Sequence, residues 1–138
     1  MNRISSRQPR IISNAIILDD QSQRDIKSTY PGKHSKYSGH HVTLDFGKNE
    51  YHEDFGKQVQ ITVTGYANDD KAEAVLISCG GTRCNNPSPH ITISTEPGVK
   101  PVYSNELLAK GHEPVKQPLT LYGTVGSFVD GKYITEKI

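Results

Sequence analysis

Apolar residues fall on alternate positions through much of this chain, and that period predicts strands. Ile11 to Leu18 (IISNAIIL) is a β-branched run that reads as a first strand. From Tyr37 to Phe46, Val42, Leu44 and Phe46 share one face while His41, Thr43 and Asp45 share the other. Lys57 to Tyr66 alternates again, and Ala72 to Ser78 should pair with it after a turn at Asn68-Asp69-Asp70. In His90 to Ser94 the inward residues are Ile91 and Ile93, with His90, Thr92 and Ser94 opposite. Leu119 to Phe128 and Lys132 to Thr135 read as a closing hairpin across Asp130-Gly131.

Helical signals are sparse. Asp20 offers an N-cap with Gln23 three residues on, so a short helix should run from about Gln21 to Ser28 and stop before Pro31-Gly32. After a loop over Glu96 to Pro101, Ser104 or Asn105 can cap one helical turn through Leu108. Six or seven strands with one or two short helices make an α+β fold with a largely antiparallel sheet. Residues 1–10 are polar and read as a flexible start. Residues 11–138 then form one domain, long enough to bury its own core.

Charge narrows the choice of partners. Sixteen Lys+Arg against fifteen Asp+Glu leave a formal charge of +1, so there is no bulk basic excess to drive non-specific nucleic-acid binding. A nucleotide would have to be held by a local site. Cys79 and Cys84 do not have a zinc spacing, no second pair accompanies them, and they read as reduced thiols. No metal and no cofactor is expected. No apolar leader or spanning run is found, and the chain reads as cytoplasmic, monomeric and without a membrane partner.

One tetrapeptide recurs: His41-Val42-Thr43-Leu44 and His90-Ile91-Thr92-Ile93. Shuffling this composition would give two copies roughly once in a thousand trials, so the repeat is treated as signal. On a strand each copy sets an imidazole and a hydroxyl side by side. Two such strands facing each other would bring two imidazoles and two hydroxyls into one cleft. That set suits in-line attack on a phosphodiester. One imidazole takes a proton from the nucleophile and the other gives one to the leaving oxygen. The hydroxyls then donate to the non-bridging oxygens. A single His-x-Thr is more often a solvated polar pair; the repeat is what favours chemistry.

Paired His-x-Thr strands resemble those of the two-histidine phosphoesterases, which include LigT-like RNA cyclic phosphodiesterases and the phosphodiesterase domain of fungal and plant tRNA ligases. Ala15 to Asp20 with Ser22 and Arg24, then His40 to Leu44, is similar to the opening strand, helix and first motif of the small phage and RNA-repair-associated branch. Pro89 to Ser94 and Gly98 to Asn105 are similar to its second motif and following loop. The resemblance implies a two-lobed fold with the histidines meeting in the cleft between lobes. It also implies hydrolysis of a 2′,3′-cyclic phosphate, or a related ribose phosphodiester, on a nucleotide or RNA end. A phosphodiesterase that degrades cyclic oligonucleotide immune signals is the near alternative, and a non-catalytic nucleotide-binding module the distant one.

Catalytic candidates are therefore His41, Thr43, His90 and Thr92. Substrate-binding candidates are Lys100, Tyr103, Ser104 and Asn105 after the second motif, with Tyr103 placed to stack on a base. Arg83 beside Gly80-Gly81 is either a phosphate grip or part of a plain surface turn. Alternation puts His40 on the face opposite His41, while His34, His52 and His112 fall in turn-like, solvated contexts. Asp45 shares the face of His41, where it could orient an imidazole or repel a phosphate.

Overall fold

The computed structural model describes residues 10–137. The expected flexible start falls on residues 1–9, outside the described ones, and on Arg10, which is exposed. The elements in order are β1 (Ile11–Leu18), α1 (Asp20–Thr29), β2 (Lys36–Tyr37), β3 (His41–Phe46), β4 (Gln58–Asn68) and β5 (Ala72–Ser78). They continue with β6 (His90–Thr95), α2 (Tyr103–Lys110), β7 (Glu113–Val129) and β8 (Lys132–Ile134). The architecture is α+β, one open antiparallel sheet in the order β2-β6-β5-β4-β7-β1-β3, with β8 hydrogen-bonded to β7.

The two expected lobes are the two ends of this sheet. Strand β7 is long enough to pair with β4 from Gln58 to Tyr66 and then with β1 from Ile11 to Leu18, so it joins the halves. Backbone bonds draw the ends together. Ser38 and Gly39 donate to the carbonyls of Ile93 and Thr92 at 2.7 and 2.8 Å, Asn85 donates to Leu44 at 2.8 Å, and Leu18 donates to His40 at 3.0 Å. Gly39 makes this crossing at φ +67°, where a side chain would also meet the ring of Tyr37. The motif strands β3 and β6 thus come to lie side by side.

Alternation decides most of what the strands bury, but it fails at the end of β3, where Phe46, expected on the face of Val42 and Leu44, is 73 % exposed and Asp45 is buried. Val42, Leu44, Ile91 and Ile93 join Ile16, Leu18, Ile61, Val75, Leu121, Val125 and Ile26 of α1 in the main core. The opposite face of β5 carries Ala72 and Ala74, small enough for Leu107 and Leu108 of α2 to pack on them. Helix α2 is longer than the single turn expected. Its first turn has no side-chain cap, and apolar burial of Leu107 and Leu108 holds it in place.

At α1 the cap is Asp19, one residue before the expected Asp20. Its Oδ1 accepts from the Ser22 N–H at 2.8 Å, and Gln23 donates instead to the Leu18 carbonyl at 2.9 Å. The closing hairpin turns where expected, with Asp130 and Gly131 both at positive φ, +49° and +84°, a combination suited to a two-residue hairpin. Gly126 lets β8 fold close: a Cβ there would collide with the Ile134 carbonyl and the Ile17 side chain.

Candidate active site

The facing motif strands bound a cleft of about 650 Å³. His41, Thr43 and Asp45 line it from β3, His90 and Thr92 from β6, Asn85 and Asn86 from the loop before β6, and Pro101, Val102 and Asn105 from around α2. Phe46, Phe128 and Tyr133 add aromatic surface. This lining is mostly apolar, with polar groups converging near the histidines, the usual make-up of a small-molecule site.

His90 is held by its own strand entry. Its Nδ1 lies 2.8 Å from the Ser88 carbonyl. A carbonyl can only accept, so Nδ1 carries the proton and the neutral ring presents a bare Nε2. Burial lowers the His90 pKa, and the Ser88 contact opposes that shift.

His41 has both nitrogens engaged. Nδ1 lies 2.7 Å from Nδ1 of His40, and Nε2 lies 3.1 Å from the Tyr133 hydroxyl. Burial, followed by unfavourable charge interaction with His40 and then His90, lowers its pKa to about 4. Both imidazoles are therefore neutral near pH 7. A nearby anion would favour their charged forms.

The threonines differ in setting. Thr92 Oγ1 is 2.8 Å from Ser104 Oγ, and both residues are buried. Thr43 lines the cleft, and its carbonyl takes a weak contact from the Cys84 thiol at 3.7 Å. Cys79 and Cys84 are free cysteines.

Of the substrate-binding candidates, Asn105 reaches the cleft wall and the others do not. Tyr103 turns away, donating its hydroxyl to Asp69 while Lys71 and Lys110 flank its ring. Ser104 stands behind Thr92. Lys100 is exposed in the turn preceding α2. Arg83 is consumed by carboxylates: it bonds Glu53 through Nε and Nη2 at 2.8 Å and Asp45 at 3.0 Å, with Asn85 on Nη1. Asp45 is buried and also accepts from Asn14 Nδ2 at 2.9 Å. Arg83 therefore anchors the Asn85-Asn86 loop to β3 rather than facing the cleft.

Three histidines depart from expectation. His40 lies on the same side as His41, its ring stacked 4.7 Å away. Strand alternation does not govern it, because β3 begins at His41 and Gly39 turns the chain just before. His52 is buried, its Nε2 donating to the Arg83 carbonyl at 2.9 Å and its Nδ1 accepting from Asp54 N–H at 3.0 Å. His34 is paired with Glu96 at 2.6 Å. His112 is exposed, as its polar context indicates.

Sequence reasoning missed Tyr133 and His40 beside the imidazoles, and Phe46, Asn85, Asn86 and Phe128 in the cleft wall. The His40-His41 doublet after a glycine was a legible signal for one of them. Tyr133 arrives through the last hairpin, and no local pattern points to it.

Among the described residues no group of three or more His, Cys, Asp or Glu is arranged to hold a metal ion. None of their helices is long and apolar enough to cross a membrane.

No curated protein matches the chain in sequence. Residues 19–121, more than half of it, match the sequence model of the fungal tRNA ligase phosphodiesterase domain, a span that contains both His-x-Thr strands. The chain belongs to that family of phosphodiesterases.

Proposed function

We propose that the cleft hydrolyses a 2′,3′-cyclic phosphate, or a closely related ribose phosphodiester, with His90 as general base and His41 as general acid. The carrying observation is the Ser88 carbonyl on His90 Nδ1, which leaves Nε2 as the ring's acceptor. A water oxygen attacks phosphorus as its proton passes to His90 Nε2. The phosphorus–oxygen bond to one ribose oxygen breaks, and that oxygen takes the proton from His41 Nε2. One water is consumed and a phosphomonoester is left. Thr43 and Thr92 donate to the non-bridging oxygens as charge gathers on them, Thr92 aligned by Ser104.

His41 must be charged to act as the acid, and its pKa of about 4 opposes this. The bound phosphodiester anion supplies the missing favourable charge. The apolar walls around Phe46, Val102 and Phe128 suit a nucleoside, and a net charge of +1 gives little grip on a long backbone.

The test is a substrate panel: nucleoside 2′,3′-cyclic phosphates, an RNA ending in a cyclic phosphate, and cyclic di- and trinucleotides, with products resolved by mass. Opening of the ribose cyclic phosphates supports the reading. Cleavage of cyclic oligonucleotides alone moves the function to signal destruction. Nucleotide binding without any turnover makes the cleft a binding module.

A further inference from the structure

The acid–base reading leaves one contact unused, the pair of ring nitrogens of His40 and His41 that face each other at 2.7 Å. Between two such nitrogens there must be one proton and one lone pair, because two lone pairs repel and two N–H groups collide. His41 as a general acid is an imidazolium, with protons on both nitrogens. Its Nδ1–H then has one partner at hydrogen-bond distance, the Nδ1 of His40.

We propose that His40 is a positioning residue for His41, accepting its Nδ1–H so that the acidic Nε2–H is held toward the reacting phosphate. The proposal rests on the acid role given to His41 above. It requires His40 to stay neutral with its own proton on Nε2, where Ser38 Oγ lies at 3.4 Å.

The surroundings favour that state. His40 is stacked on His41, tilted against the Tyr133 ring at 5.9 Å, and fixed through its backbone carbonyl by Leu18 N–H. Burial lowers the His40 pKa, which keeps the ring neutral beside a charged neighbour. Tyr133 completes the row. Its hydroxyl can donate to His41 Nε2, leaving the neutral His41 proton on Nδ1 and the same His41-to-His40 direction. An arriving leaving-group oxygen would replace the phenol at Nε2 without disturbing the Nδ1 contact. The row Ser38–His40–His41–Tyr133 is then a set of hydrogen bonds with one defined direction.

Two substitutions separate this role from mere packing. His40→Phe keeps a ring against His41 but removes the acceptor. His40→Asn loses the ring and retains an amide oxygen close to the Nδ1 position. With a nucleoside 2′,3′-cyclic phosphate as substrate, His40→Phe should lower kcat by about 10- to 100-fold with KM changed no more than about twofold, below the loss for removing an acid outright. His40→Asn should recover to within about fivefold of wild type. Wild-type kcat in His40→Phe, or a His40→Asn enzyme worse than His40→Phe, would overturn the proposal in favour of ring packing.

A second readout does not depend on turnover. Long-range ¹H–¹⁵N spectra of the folded wild-type protein should show neutral His41 protonated on Nδ1 and His40 on Nε2. They should also show that His41 preference lost in His40→Phe. His41 protonated on Nε2, with a bare Nδ1, would refute it. Absence of wild-type turnover on every phosphodiester would remove the hydrolase reading, while the spectra would still decide the tautomer.

Discussion

The role proposed for each histidine rests on what its second nitrogen touches, a carbonyl for His90 and another imidazole for His41. The pKa directions give a pH signature. The base must be neutral and the acid charged, yet burial lowers both groups below the ordinary value of 6.5. Activity should rise with pH up to the lower of these two pKa values and fall above the higher. The kcat/KM profile reports the free protein, so its maximum should lie on the acid side of 6.5. The kcat profile should be displaced upward, because bound phosphate favours charged His41. A kcat/KM maximum above pH 8 would contradict these assignments. Thr92→Val should cost more than Thr43→Val in kcat, since it also leaves the buried Ser104 hydroxyl unpaired. Equal losses would separate Ser104 from the site. The His-x-Thr pairs were legible because each strand's period is two. Arg83 stayed open between two readings because Gly-Gly-x-Arg looks the same whether the guanidinium waits for phosphate or is already taken by Glu53 and Asp45.

Elements bring these residues together, and the hairpin of β7 and β8 does so under a tight steric limit. Gly126 leaves room for the Ile134 backbone, which carries Tyr133 toward His41. Gly126→Ala would force the hairpin outward, at a cost of about 1–3 kcal/mol typical of overpacking. The urea midpoint should fall, and the His41–Tyr133 contact should be lost with it. A variant of unchanged stability and unchanged kcat would contradict this placement. Most strands were readable from alternation, and the closing turn from Asp130-Gly131. Helix α2 was under-read, because what extends it to Lys110 is burial of Leu107 and Leu108 on alanines of a distant strand. The shift of the α1 cap from Asp20 to Asp19 is a matter of one peptide's ψ angle, which two adjacent aspartates do not reveal.

For the molecule as a whole, the sheet order is what no local pattern discloses. Strands β3 and β6 are 49 residues apart at their histidines, and they meet because β7 spans both halves and the Ser38-to-His40 crossing ties the ends. The two lobes expected from the sequence are therefore halves of one continuous sheet, and the cleft opens where the sheet's ends face each other. A near-neutral molecule with a local site should bind long RNA with a shallow salt dependence. Affinity for an RNA ending in a cyclic phosphate should thus change little between low and moderate salt. A steep slope in log affinity against log salt would point to an extended RNA-binding face instead.

The most direct measurement is the hydrolysis rate of a nucleoside 2′,3′-cyclic phosphate by wild type, His41→Ala and His90→Ala, each in excess EDTA and each checked for folding by thermal melting. The account predicts full wild-type activity in EDTA and losses of about 10²- to 10⁴-fold in either variant, the range for removing a general acid or base. Near wild-type turnover in either folded variant would contradict it. So would wild-type activity abolished by EDTA and restored by Mn²⁺ or Zn²⁺.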